Sequence, residues 1–264
     1  MYHDLCSGNT SISVPTKVCE NPPDFAWPNR HKMRPMVAMM RPNGDPSMSS
    51  FQQIYDSAWH HPGVAFVGSG VVLLWALWRR PPALGMLLGL QLLMIIDALC
   101  TGGLVPIPHA SGWGQLVPVF FVVQGDARFY FLLAKGRFSR RKTLALALLA
   151  GLFVPLCSYA LHSLFPELLP TRRHLFLTHE LLFCGVVLSL LWRLRSVARS
   201  SSLKWQRRLC RFELLQYGLW VLSDVLILCG MDIGFALRLV PNLMYYVLFV
   251  PFALATTPAA EART

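Results

Sequence analysis

The sequence has few charged side chains, and this scarcity excludes an ordinary soluble domain. Only 14% of its 264 residues are charged, whereas 54% are hydrophobic. Soluble domains carry roughly 25% charged residues. A soluble fold could not bury this much apolar surface, but a lipid bilayer accepts it. The composition therefore predicts an all-α, polytopic membrane protein that has the lipid bilayer as its first partner.

Sequence patterns for metals, disulfides and cofactors are missing as well. The 7 cysteines include no Cys-x-x-Cys pair, so neither a zinc site nor a disulfide framework is indicated. No lysine lies in the interior of an apolar run, which excludes a retinal Schiff base. We therefore expect neither a metal ion nor a cofactor.

Acidic residues are scarce relative to basic ones, with 13 Asp and Glu against 24 Lys and Arg. The basic residues lie in short clusters between apolar runs, which is typical of the cytoplasmic loops of membrane proteins and not of a nucleic-acid surface. We expect no nucleic-acid partner. We expect the basic loops to contact anionic lipid headgroups instead.

The first part of the chain differs from everything after it. Residues 1–47 are polar, rich in proline and without helical periodicity, which predicts a disordered tail. They lack the apolar core that a signal peptide requires. Met48 offers a later start for the chain. N-terminal sequencing of the natural protein distinguishes the two starts.

A short amphipathic segment follows at residues 48–61. Apolar residues recur at every third or fourth position from Phe51 to Ala58, which places them on one face of a helix. The pattern predicts a helix that lies at the membrane interface. The alternative is that these residues form the first turns of the following span.

Seven apolar runs come next, each close to the ~20 residues that a membrane-spanning helix needs. The runs cover residues 63–78, 83–104, 115–134, 143–165, 174–192, 212–231 and 234–256. Lys and Arg concentrate after the first, third and fifth runs, so these loops are expected in the cytoplasm. The sequence thus predicts a seven-helix domain over 62–257 in a bacterial cytoplasmic membrane or its equivalent. The N-terminus is expected outside, and the short tail 258–264 inside.

The third run carries polar side chains at mid-membrane depth: Gln124, Asp126 and Arg128. Charge at this depth is costly and usually marks a function or a buried partner. Asp126 and Arg128 are two residues apart, so they point to nearly opposite sides of a helix. Neither can face lipid, so we expect protein all around this helix. Gly125 is expected to let a neighbouring helix approach closely.

Polar side chains recur at a similar depth in other runs. They are Asp97 in the second run, His179 and Glu180 in the fifth, Glu213, Gln216, Trp220 and Asp224 in the sixth, and Arg238, Asn242 and Tyr245 in the seventh. Those of the sixth run share one helical face, and so do those of the seventh. We expect one outward-opening polar pocket between the second, third, fifth, sixth and seventh spans.

The acids of this set are candidates for proton chemistry. An isolated carboxylate in hydrocarbon takes up a proton rather than staying charged. One or two acids, among Asp97, Asp224 and Asp232, are expected to pair with Arg128 or Arg238 and stay ionised. Asp126 or Glu180 is expected to hold a proton for donation, with His179 as base or relay. The catalytic candidates are therefore Asp126, His179, Glu180 and Asp224.

The other polar and aromatic groups are candidates for binding a hydrophobic or amphipathic small molecule. They are Asp97, Gln124, Arg128, Trp220, Arg238, Asn242 and Tyr245. The favoured hypothesis is an enzyme that acts on a lipid or isoprenoid-like substrate by acid catalysis. One alternative is a proton-coupled carrier or sensor that uses the same acids as a relay. Another is a membrane scaffold whose polar side chains only hold helices together.

Overall fold

The computed structural model describes residues 50–57, 65–79, 84–101, 112–134, 139–196 and 203–256. Every regular element in these ranges is helical. In chain order the elements are α1 (Ser50–Tyr55), α2 (Ala65–Arg79), α3 (Leu84–Thr101), α4 (Gly112–Ala134), α5 (Arg140–Leu164), α6 (Arg172–Ser196), α7 (Lys204–Leu228), α8 (Ile233–Leu243), a π-helical turn (Met244–Leu248) and α9 (Phe249–Thr256). The expected tail 1–47, the start at Met48 and the tail 258–264 lie outside the described residues.

The length and composition of three helices indicate an α-helical membrane protein. Three helices are long and apolar enough to cross a bilayer: Arg141–Leu164, Arg172–Arg195 and Ile233–Thr256. The apolar helix Ala65–Trp78 is shorter. The predicted all-α class is therefore confirmed, together with three helices able to span a membrane.

Helix α5 shows why a bilayer suits this fold. Its large apolar side chains Leu149, Phe153 and Leu156 are 66%, 60% and 61% exposed. A soluble monomer rarely leaves such a continuous apolar surface in water. The opposite side of α5 packs on α4. There, a Cβ added to Gly151 would lie only 2.8 Å from the Val123 carbonyl oxygen, so the two backbones nearly touch.

Helix α7 begins earlier than the sequence pattern indicated. The stretch up to residue 211 was interpreted as a basic loop, yet helix α7 begins at Lys204. The reason is a second periodicity within the basic segment. Trp205 and Leu209 are buried, whereas Arg208 and Arg211 are exposed. The basic residues therefore occupy the outer face of a helix rather than a loop.

Helix α4 is surrounded by protein at its centre, as its side-chain pattern predicted. All seven residues from Val123 to Phe129 are buried. Gly125 lies directly against Tyr245, because an added Cβ would be 2.5 Å from the Tyr245 hydroxyl oxygen. The predicted close approach of a neighbour at this glycine is confirmed.

A π-helical turn at Met244–Leu248 separates α8 from α9. In such a turn each carbonyl bonds to the amide five residues later, but Pro251 has no N–H to give to Tyr246. The Tyr246 carbonyl accepts instead from Ser69 Oγ (3.0 Å) and from Gln91 Nε2 (3.1 Å). Side chains of α2 and α3 thereby hold the turn that presents Tyr245 and Tyr246.

Helix α1 covers the centre of the predicted amphipathic segment 48–61; the ends of that segment lie outside the described residues. Both carboxylate oxygens of Asp232 accept hydrogen bonds at the start of α1, from Phe51 N (3.1 Å) and Gln52 N (3.2 Å). At its other end, Tyr55 packs against Phe235 with ring centroids 5.8 Å apart. Helix α1 is thus docked on α8, and its predicted position at the membrane interface stays a prediction.

Candidate functional site

Helix α7 provides the buried polar face on which the site is built. Glu213, Gln216 and Asp224 are at most 1% exposed. Tyr217 lies one turn after Glu213 on the same face and is buried as well. These residues bring α7 into contact with polar groups of α4, α6 and α8, and two clusters result.

The Asp126 cluster consists of Asp126, His179 and Tyr217. The Tyr217 hydroxyl donates a 2.6 Å hydrogen bond to Asp126 Oδ1. His179 Nε2 lies 3.5 Å from Asp126 Oδ2, which places the imidazole beside the second carboxylate oxygen. The Asp126 side chain has no exposed surface. Helices α4, α6 and α7 thus place a carboxylate, an imidazole and a phenol together in the interior.

Aromatic rings surround this cluster. Phe183 stacks on Tyr217 with ring centroids 4.0 Å apart and lies 6.4 Å from the His179 ring. Phe129 and Tyr130 contact Phe183 edge-on at 5.7 and 6.1 Å. Phe183 and Tyr217 therefore lie beside the imidazole, and His179 Nδ1 has no hydrogen-bond partner within the described ranges.

Arg128 points away from Asp126 and is enclosed by α9 and the π-helical turn. Its guanidinium carbon lies 4.0 Å from the Tyr245 ring centroid and 3.8 Å from that of Phe249. One guanidinium nitrogen donates to the Tyr245 carbonyl (3.0 Å) and contacts the Met94 sulfur (3.1 Å). Glu213 is near enough to Arg128 to interact with it electrostatically. None of the acids expected to pair with Arg128 forms a described ion pair with it.

The Arg238 cluster consists of Arg173, Glu180, Asp224 and Arg238. Asp224 accepts from Arg238 and from Arg173, the latter at 2.8 Å. Arg238 also lies 3.6 Å from Glu180 and donates to the Tyr55 hydroxyl at 3.1 Å. The expected pairing of Arg238 with one acid of the set is confirmed for Asp224. Glu180 lies beside Arg238 in this cluster, and its expected role as a proton donor stays a prediction.

The remaining candidates contact other side chains inside the helix bundle. Asp97 accepts from the Tyr246 hydroxyl at 3.2 Å. The Trp220 indole donates to Asn242 Oδ1 at 2.8 Å, which joins the polar faces of α7 and α8 as expected. Gln124 Nε2 is 4.0 Å from the Met94 sulfur. Asp232 accepts two backbone hydrogen bonds at the start of α1.

A cavity of about 510 Å³ lies beside the Arg238 cluster. Its wall comprises Tyr55, Thr171, Arg172, Arg173, Phe176, Ile227, Leu228 and Arg238. Of the residues singled out in the sequence, Arg238 alone belongs to this wall. Among the residues that the structure describes, none of α3 or α4 lines it, so this cavity differs from the predicted pocket between five spans. The cause is that Asp126 and Arg128 are enclosed by side chains of α6, α7 and α9.

Two site residues were missed in the sequence. Tyr217 follows Glu213 by four residues and so extends the polar face already recognised on α7. Arg173 precedes Glu180 by seven residues, which is two helical turns on the same face of α6. Tyr217 was not counted with the polar face of the sixth run, and Arg173 was placed in the turn before the fifth run.

Within the described ranges, no group of three or more His, Cys, Asp and Glu side chains lies close enough to hold a metal ion. Comparisons with protein-family models, with curated proteins and with solved structures give no significant match. Function is therefore inferred from the geometry of the two clusters and the cavity.

Proposed function

We propose that this protein is a seven-span membrane enzyme of the bacterial cytoplasmic membrane, with its N-terminus outside. Helices α2 to α7 and the continuous helix from α8 to α9 each overlap one of the seven apolar runs, which supports seven spans. Under the charge distribution of the loops, α1, the start of α6 and the start of α8 all lie at the outer side. The cavity beside Arg238 then opens toward that side.

The proposed reaction is proton transfer to a lipid or isoprenoid-like substrate. The observation that carries this proposal is the buried Asp126 cluster, in which a carboxylate lies 3.5 Å from His179 Nε2. In such a pair the carboxylate orients the imidazole and stabilises its protonated form, so the other ring nitrogen can serve as acid or base. His179 Nδ1 would donate a proton to the substrate and take one back from another atom of it.

Isomerisation or cyclisation is the reaction class that this arrangement supports best. Such a reaction needs one proton in and one proton out, which a single imidazole can provide. Protonation of a double bond leaves a carbocation, and the faces of Phe183 and Tyr217 beside the imidazole would stabilise it. Phe176 on the cavity wall precedes His179 by three residues, about 4.5 Å along the helix axis at 1.5 Å per residue.

Replacing His179 by glutamine tests this function. Lipids and isoprenoids from host cells that express the wild type, His179→Gln or His162→Gln are compared by mass spectrometry with isomer separation. We expect a product in the wild type and in His162→Gln, and its loss by about 100-fold or more in His179→Gln, the size typical of a general acid. His162 is a matched control on α5. Identical lipid profiles for the wild type and His179→Gln would contradict the proposal.

A second candidate is a proton-coupled carrier or sensor, which the line of titratable groups along α6 and α7 favours. Asp224 and Glu213 are about 16 Å apart along α7 at 1.5 Å per residue. The Asp126 cluster lies between these two levels through Tyr217, and Glu180 lies beside Arg238, the partner of Asp224. Purified protein in liposomes that contain a pH dye distinguishes the carrier from the enzyme. A carrier moves protons into the liposomes, at a rate that is lower for His179→Gln. An enzyme moves no protons.

A further inference from the structure

The wall of the cavity beside Arg238 combines positive charge with apolar surface. Arg172, Arg173 and Arg238 supply three guanidinium groups, and the wall residues that the structure describes include no carboxylate. Phe176, Ile227 and Leu228 supply the apolar part. A volume of about 510 Å³ suits a small-molecule headgroup with the first part of a chain.

The acids of the Arg238 cluster lie behind the arginines rather than in the cavity. The side chain of Asp224 is 0% exposed and that of Glu180 is 5% exposed, against 29% for Arg173 and 14% for Arg238. Ion pairs with these acids fix the two guanidinium groups in place before a ligand arrives. A ligand therefore does not have to order these long side chains, which lowers the cost of binding.

We propose that this cavity binds the anionic headgroup, a phosphate or a carboxylate, of a single-chain amphiphile. Arginine forks match both groups geometrically. The chain would leave along Phe176, Ile227 and Leu228 toward the exposed apolar surface of α6 and α7, where Leu228 is 38% exposed. This inference names the substrate class of the enzyme proposed above and depends on that function only for what happens to the substrate after it binds.

Thermal unfolding of the full-length protein in an uncharged maltoside detergent tests the proposal, with dodecyl phosphate, dodecanoate and inorganic phosphate as probes. We expect dodecyl phosphate and dodecanoate to raise the Tm in a saturable manner and inorganic phosphate to have little effect. If inorganic phosphate raises the Tm as much as dodecyl phosphate does, the cavity binds a water-soluble phosphate compound, and the proposal of an amphiphilic ligand is contradicted. No stabilisation by any probe would overturn the anion site itself.

Two arginine variants locate the binding site. Arg173→Gln is expected to weaken binding of dodecyl phosphate by about tenfold, because it removes a charge-assisted hydrogen bond to the headgroup. Arg172→Gln, which leaves the ion pairs at Asp224 intact, is expected to weaken it as well. Arg141→Gln on the exposed side of α5 is the matched control and should bind like the wild type. Unchanged binding in both cavity variants would contradict the proposal.

The same measurements separate this proposal from the proposed function. His179→Gln should bind dodecyl phosphate as the wild type does, because its imidazole does not belong to the cavity wall. If dodecyl phosphate binds but host lipids do not change, the anion site is supported and the proposed enzymatic function is contradicted. If the protein makes a lipid product but binds none of the probes, the enzymatic function is supported and the headgroup site is contradicted.

Discussion

Replacing Arg238 by glutamine is expected to lower the free energy of unfolding by about 3 kcal/mol, the usual lower value for breaking a buried ion pair. Arg238 pairs with Asp224, lies 3.6 Å from Glu180 and bonds to the Tyr55 hydroxyl. Its loss leaves two largely buried carboxylates with too little compensating charge. The cost stays near the lower value because Arg173 still reaches Asp224.

Two further variants show whether the charge or the packing of Arg238 matters. Unfolding in mild detergent is compared for Arg238→Gln, for Arg208→Gln at an exposed site of α7, and for a triple variant that adds Asp224→Asn and Glu180→Gln. The exposed control should unfold like the wild type. The triple variant should recover most of the lost stability, because neutral side chains leave no buried charge uncompensated. A triple variant no more stable than Arg238→Gln would contradict the ion-pair explanation.

Replacing Arg128 by lysine is expected to cost about 2 kcal/mol even though the positive charge remains, the size of a desolvated cation–π contact. The guanidinium of Arg128 is a flat group between the rings of Tyr245 and Phe249, at 4.0 and 3.8 Å. A lysine ammonium cannot fill this slot face to face and bond to the Tyr245 carbonyl at the same time. The substitution therefore loosens the contact of α4 with α9 and the π-helical turn.

The size of this effect is measured by the same unfolding experiment with two comparisons. Arg128→Gln should be less stable than Arg128→Lys, because it also removes the charge that acts on Glu213. Arg141→Lys at an exposed position of α5 should change nothing. If Arg128→Lys unfolded like Arg141→Lys, the guanidinium would not be held between the rings, and the contact of α4 with α9 and the π-helical turn would not depend on it.

The helices could be predicted from the sequence because long apolar runs indicate helices that can lie in lipid. The burial of the centre of α4 could be predicted for a different reason. Asp126 and Arg128 point to opposite sides of the helix, so neither side could face lipid. The polar faces of α7 and α8 followed from helical spacing alone, and the Trp220–Asn242 hydrogen bond now joins them.

The partner of each charge was less accessible because pairing depends on how helices are rotated and displaced against one another. Arg128 and Arg238 looked equivalent in the sequence, yet one lies between aromatic rings and the other between carboxylates. Arg173 was overlooked because the last hydrophilic residues before a span look like loop. The π-helical turn could not be predicted from the sequence either. The Tyr246 carbonyl finds its hydrogen-bond donors in Ser69 and Gln91, which lie far from it in the chain.

The most direct test of the account is a double-mutant cycle between Asp126→Asn and Tyr217→Phe, measured as the free energy of unfolding in mild detergent. The two side chains are on α4 and α7 and are joined by a 2.6 Å hydrogen bond in the interior. The account expects a coupling energy of about 1 kcal/mol or more, as for contacting buried groups. Additive effects, within about 0.3 kcal/mol, would mean that these ionisable side chains do not meet inside the bundle.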